Sequence, residues 1–121
     1  MSYRYFTDND FRRATPQCSI DDMHPELLER LDVARFHADI PFVITSAYRT
    51  EQHELSKGRA GTSSHTLGRA VDIRASHSRE RYYVLRGLMA AGFNRIGINR
   101  NSIHADCDGT KFPEVVWHYY P

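Results

Sequence analysis

Two short segments, Ala70-Val71-Asp72-Ile73-Arg74 and Ser102-Ile103-His104-Ala105-Asp106, alternate between apolar and polar residues. Alternation at a period of two marks a strand buried on one face only. Val71 and Ile73 share one face, as do Ile103 and Ala105. Asp72 points the other way, as do Ser102, His104 and Asp106. A chain carrying two such strands must build a sheet with an apolar back and a front that presents ionisable side chains. The remaining elements have to cover that back.

Two amphipathic helices are available to do so. Asp21-Asp22 precede Pro25, a helix-start pattern, and Leu27, Leu31, Ala34 and Ala38 follow at helical spacing with Leu28 beside them. The spacing predicts a helix over residues 23–38, with Pro41 beyond its end. Ser78 is expected to cap a second long helix lined by Val84, Leu88 and Ala91, flanked by Leu85 and Met89 and ended by Gly92. Phe42-Val43-Ile44-Thr45 reads as a buried strand and residues 51–57 as a short helix. Residues 58–68 are rich in Gly, Ser and Thr and read as a loop. Arg95-Ile96-Gly97-Ile98 is expected to pair with residues 102–106 as a hairpin around Asn99-Arg100-Asn101, and residues 115–119 give a last short strand. Residues 1–20 are expected to wrap the domain, with Asp8-Asn9-Asp10 as a turn or helix cap. The order lacks regular βαβ alternation. It predicts an α+β fold, a small antiparallel sheet with helices packed on one side. At 121 residues a single domain over 1–121 is expected, its motif-bearing core spanning 21–119.

Composition narrows the function. Lys plus Arg total 16 against 15 Asp plus Glu, a net charge of +1, which argues against a nucleic-acid binder. No apolar run approaches the roughly 20 residues of a membrane helix, so no stable membrane association is expected. The first residues show no signal-peptide apolar region. Two cysteines exclude a disulfide scaffold or a four-cysteine zinc finger. Seven histidines direct attention to metal chemistry.

His65 lies seven residues before Asp72, across Gly68, which can turn the chain back. Together with His104 on the facing strand these residues make a chemically sensible zinc set, since imidazole nitrogen and carboxylate oxygen both bind zinc at about 2.0–2.2 Å. Three protein ligands leave a fourth tetrahedral position open, as in catalytic sites. Spacing alone leaves a second reading open: a surface histidine and a strand-end aspartate in an ordinary ion pair. Other candidates read blandly. Cys107 turns toward the core, Cys18 has no partner motif, and His24, His37 and His77 sit at helix starts or surfaces. Arg79 and Arg81 read as solvated face. His53 lies near enough to the site to merit mutation.

Four motifs occur in order: Thr45-Ser46-Ala47-Tyr48-Arg49-Thr50, Ser63-x-His65-x-x-Gly68-x-Ala70-x-Asp72, Gly92-Phe93-x-Arg95-Ile96-Gly97-Ile98 and Ile103-His104-x-Asp106. As a set they resemble the zinc D-alanyl-D-alanine carboxypeptidase family, within the superfamily that includes the hedgehog signalling domain, and in particular its short phage and bacterial endolysin-like branch. The resemblance covers roughly residues 20–119. It implies an α+β zinc peptidase that hydrolyses stem-peptide bonds of bacterial peptidoglycan, of carboxypeptidase or L-Ala-D-Glu endopeptidase type. It implies that His65, Asp72 and His104 hold Zn²⁺, that Arg49 reaches the scissile carbonyl, and that Ser63 helps hold substrate. A guanidinium suits the Arg49 role because it is always charged and can stabilise an oxyanion; the alternative readings are a surface ion pair of Arg49 with Glu51 or Glu54, and loop-capping by the Ser63 hydroxyl.

There is one departure. Relatives carry an acidic general base three residues before the last histidine ligand, and here that position is Asn101. Asp106 is the nearest acid and reads either as the base or as the group that orients a ligand histidine. Trp117 and His118 are candidates for the cleft wall, beside a core reading for Trp117 and simple exposure for His118. The expected partner is a peptidoglycan stem peptide, bound by a monomer that is made in the cytoplasm without a signal peptide and acts on the cell wall after release. The competing reading is a zinc-stabilised binding module without catalysis.

Overall fold

The computed structural model describes residues 2–119. Four α-helices span Asp8–Arg12 (α1), Pro25–Ala38 (α2), Glu51–Ser56 (α3) and Ser78–Ala90 (α4). Five strands span Ile44–Ser46 (β1), Ala70–Arg74 (β2), Arg95–Ile98 (β3), Ser102–Asp106 (β4) and Val115–His118 (β5). They form one sheet in the order β1-β2-β4-β3-β5. The architecture is α+β, as the sequence implies. The pairings β1·β2, β2·β4 and β3·β4 are antiparallel, but β5 joins β3 in parallel. The sheet is therefore mixed rather than purely antiparallel. The chain leaves β4 through residues 107–114 and returns to the far side of β3, which brings β5 in along the direction of β3.

The alternation along β2 and β4 holds. Val71, Ile73, Ile103, Ala105 and Ile96 are buried on the back of the sheet, in one core with Leu27, Leu31, Ala34, Val84 and Leu88 from α2 and α4. Burying each of the larger side chains contributes about 1.5–3 kcal/mol relative to exposure. The two helices cross at small residues. A Cβ on Gly87 would lie 2.3 Å from the Ala34 carbonyl oxygen and 2.7 Å from the Ala38 Cβ, so only glycine permits this approach. Residues 2–20 do more than wrap the domain. Phe6 and Phe11 enter the core, Phe11 from the helix α1 that follows the Asp8-Asn9-Asp10 signal.

Helix starts correct one detail. The cap of α4 is His77, whose ring accepts from the Glu80 backbone N–H, and Ser78 is the first helical residue. His24 caps α2 in the same manner through Glu26 N–H, and Arg69 Nη2 lies 2.9 Å from its other ring nitrogen. Neither histidine is merely solvated. An acceptor ring nitrogen at such a position satisfies a helix N–H that otherwise lacks a partner.

Candidate active site and metal centre

The site is built on one row that crosses the whole sheet. Ser46 pairs with Asp72, Asp72 with His104, His104 with Gly97, and Gly97 with Trp117. Asp72, His104 and Gly97 face away from the helices, because Val71, Ile73, Ile103, Ala105 and Ile96 beside them along the strands are buried in the core. His65 arrives from outside the sheet. It lies in a 3-10 turn, Ser64–Leu67, capped by Ser63, whose Oγ accepts from His65 N–H at 3.2 Å. Gly68 ends that turn at φ 68°, with the chain so close to Asp22 that a Cβ would lie 2.4 Å from its carbonyl oxygen. This left-handed, crowded position returns the chain into β2 and sets His65 above Asp72.

Three donors meet there. His65 Nε2 is 3.5 Å and His104 Nδ1 is 3.3 Å from Asp72 Oδ1, and all three donor atoms lie within 4.8 Å of one another. A tetrahedral ion with bonds of about 2.0–2.1 Å has donor-to-donor edges of about 3.3–3.4 Å, so these two separations suit a zinc-sized ion. The ring orientations fit as well. His65 Nδ1 lies 2.6 Å from the Ala47 carbonyl oxygen, which can only accept, so Nδ1 carries the proton and Nε2 is free to ligate. His104 Nε2 lies 2.6 Å from Asp106 Oδ2, which frees Nδ1. Both free nitrogens are the ones that face Asp72.

Electrostatics reinforce this arrangement. Burial alone would raise the Asp72 carboxyl, but the two histidines beside it win and hold it well below the usual carboxylate range. Burial opposes charge on His104, yet Asp106 and Asp72 together raise its pKa above the ordinary histidine value. A pocket that stabilises positive charge between two carboxylates favours a bound cation over an empty neutral site.

Asp106 lies behind His104, not in front of it. It is 1% exposed, its Oδ2 engages His104 Nε2, and its Oδ1 accepts from Arg95 Nε at 2.7 Å and from the Asp108 N–H at 3.1 Å. It takes no part in the cleft wall. Of its two readings, the general base is corrected: both oxygens are occupied on the far side of the imidazole. The Arg95 guanidinium in turn stacks over Trp117, 5.1 Å from its ring centre. Trp117 also packs against the His104 ring, with centres 5.4 Å apart. It reaches there because Gly97 has no side chain; a Cβ would meet the indole at 2.7 Å. Trp117 is therefore a support beneath the site rather than part of the cleft wall.

A cleft of about 360 Å³ opens over the three donors, lined also by Arg49, Glu54, Arg59, Ser63, Asn99, Ser102 and Tyr119. Arg49 and Ser63 both line this cleft. His118 does not line the cleft; Tyr119, one residue on, does. The strand ends at His118, and the chain beyond it no longer follows strand alternation. On α3 the cleft is reached by Glu54 and not by His53. Asn101 sits exposed in the β3–β4 turn. The sequence reading also missed Asp108, which is buried and accepts from Ser64 Oγ at 2.7 Å and from Thr110 N and Oγ, tying the loop before His65 to the loop after β4. Asp108-Gly109-Thr110 carries an Asx-turn signal that could have marked it.

The chain matches Peptidase M15 over residues 4–108. It belongs to that family. The match takes in β1 to β4 and all three donor residues, and leaves β5 outside. No curated protein gives a significant match. Membership makes the chain a peptidase of a metal-dependent family, and the His-Asp-His group is the place in this member that could hold the ion.

Proposed function

We propose that this M15 member is a zinc peptidase that hydrolyses stem-peptide bonds of bacterial peptidoglycan, as a monomeric endolysin-type enzyme acting on the wall after its release from the cytoplasm. The observation that carries this reading is the donor triangle of His65, Asp72 and His104, with both imidazoles fixed so that their unprotonated nitrogens converge.

His65 Nε2, His104 Nδ1 and one Asp72 oxygen would hold the ion. When bound, zinc supplies Lewis acidity that polarises a carbonyl and activates water. The protein's own groups do the rest. Arg49 lines the same cleft, and its guanidinium would stabilise negative charge developing on the scissile carbonyl oxygen. Ser63 Oγ lies at the cleft wall and can hold a peptide group while it caps the turn that carries His65. Asp106 keeps the proton on His104 Nε2 and fixes the ring plane.

The test is incubation of purified peptidoglycan with the protein, with and without a zinc chelator, followed by mass spectrometry of the fragments. A chelator-sensitive new terminus identifies both the class and the bond. A zinc-loaded protein that releases no terminus favours the second reading, a zinc-stabilised binding module. The neutral Asn101, in place of an acid three residues before His104, is the observation that favours that second reading.

A further inference from the structure

Glu54 is 0% exposed, yet it forms part of the cleft wall and stands between two arginines. Its two oxygens are used very differently. Oε2 accepts from Arg59 Nε at 2.7 Å, with Arg59 Nη2 also 2.7 Å away. Oε1 lies 3.4 Å from Arg49 Nε, and neither of these two buried atoms has a hydrogen-bond partner.

A carboxylate and a guanidinium normally pair through two parallel bonds, and that geometry would consume two of the Arg49 nitrogens. Here it does not form. Arg59 has taken one carboxylate oxygen, and its own backbone N–H is bonded to the Glu54 carbonyl at 2.9 Å, which keeps it beside α3. Helix α3 is itself pinned by Thr50, whose Oγ1 accepts from His53 N–H. Glu54 is left with a single oxygen for Arg49, which attracts that arginine from 3.4 Å without a hydrogen bond to its Nε.

We propose that Arg59 and Glu54 are a positioning pair that holds Arg49 at the cleft while keeping its guanidinium unbound and available to a peptide carbonyl. Arg59 is the decisive member. Without it, Glu54 has both oxygens free and captures Arg49 in a closed pair, out of reach of substrate. The role given to Arg49 rests on the peptidase reading; the pairing geometry does not.

The test follows the reactivity of Arg49 toward phenylglyoxal, a guanidine-selective dicarbonyl, by peptide mass mapping of the whole zinc-loaded protein. In wild type Arg49 is labelled. In Arg59→Ala its labelling slows about tenfold, the effect expected of closing one charge-assisted pair. Arg59→Lys, which can still occupy Oε2, stays near wild type. The double variant Arg59→Ala/Glu54→Gln restores labelling, because no carboxylate remains to capture Arg49. A purely structural role for Arg59 would not produce that restoration. The proposal is overturned by unchanged Arg49 labelling in a folded Arg59→Ala protein, or by slow labelling that persists in the double variant. Steady-state kinetics on a stem peptide give the second readout: kcat falls in Arg59→Ala with little change in KM, and recovers in part in the double variant. A wild type that cuts no stem peptide sinks the peptidoglycan reading, while the labelling result still decides the pairing.

Discussion

The two faces of the β-sheet are made by the same strands and obey opposite rules. On the back, Val71, Ile73, Ile103 and Ala105 are fully buried against α2 and α4, and contribute by area and fit. On the front, Asp72, His104 and Gly97 alternate with them and contribute by the position of single atoms. A back-face residue makes many weak contacts, each replaceable. A front-face donor makes two or three contacts, none of which has a substitute. Damage to the back should therefore appear as lost stability with function per folded molecule retained. Damage to the front should appear as lost metal and activity with the fold retained.

The largest effect is expected from His104→Ala. It removes one of three donors, so tight zinc binding and peptide cleavage should both disappear while the circular dichroism of the folded chain persists. Retained zinc at one ion per chain would break the comparison. Next comes Ile103→Ala, one residue away on the opposite face. It should destabilise the fold by about 2–5 kcal/mol in a denaturant titration, through lost burial and a residual cavity. Zinc content per folded molecule should not change. A third step sharpens the boundary between the faces. Asp106→Asn leaves shape nearly intact but weakens the acceptor for His104 Nε2–H, so zinc affinity should fall about 10–100-fold. A competition assay with a chromophoric chelator measures this, and an unchanged affinity would show that packing against Trp117 is enough to hold the ring.

The smallest effect concerns pH. In the metal-free protein the His104 pKa is raised by its two carboxylates, so its contribution to stability is complete below the unfolded histidine value of about 6.5 and is lost as pH rises through the folded value. Bound zinc reverses the slope, because the ion needs the ring deprotonated. Thermal melts from pH 6 to 8.5 with and without chelator should therefore tilt in opposite directions. Parallel curves would mean that His104 does not exchange its proton for the ion.

Much of the fold was legible from periodicity. β2, β3 and β4, the apolar faces of α2 and α4, and the outward aim of Asp72 and His104 all follow from local patterns, because alternation and helical spacing are properties of the chain itself. Asp106 shows where that reading stops. Alternation places it on the front face, as it does His104, but alternation carries no information on depth. Arg95 binds it from behind and stacks on Trp117, whose approach depends on the parallel entry of β5 and on the bare Gly97 beneath the indole. Glu54 shows the same limit from the other side. In the sequence it is one of two acids that could pair with Arg49 at the surface, and nothing local marks it as buried.

The sequence by itself determined which side chains could serve a metal and which face of the sheet would carry them, since both depend on residue type and on periods of a few residues. Only the tertiary structure decided which nitrogen of each histidine is free, that Asp106 supports the site from behind, and that Glu54 stands between two arginines. Those facts depend on how segments pack rather than on any local propensity. Ala47 against His65 and Asp106 against Arg95 join separate elements. Glu54, though only five residues from Arg49 and five from Arg59, meets each through side-chain geometry that the fold sets.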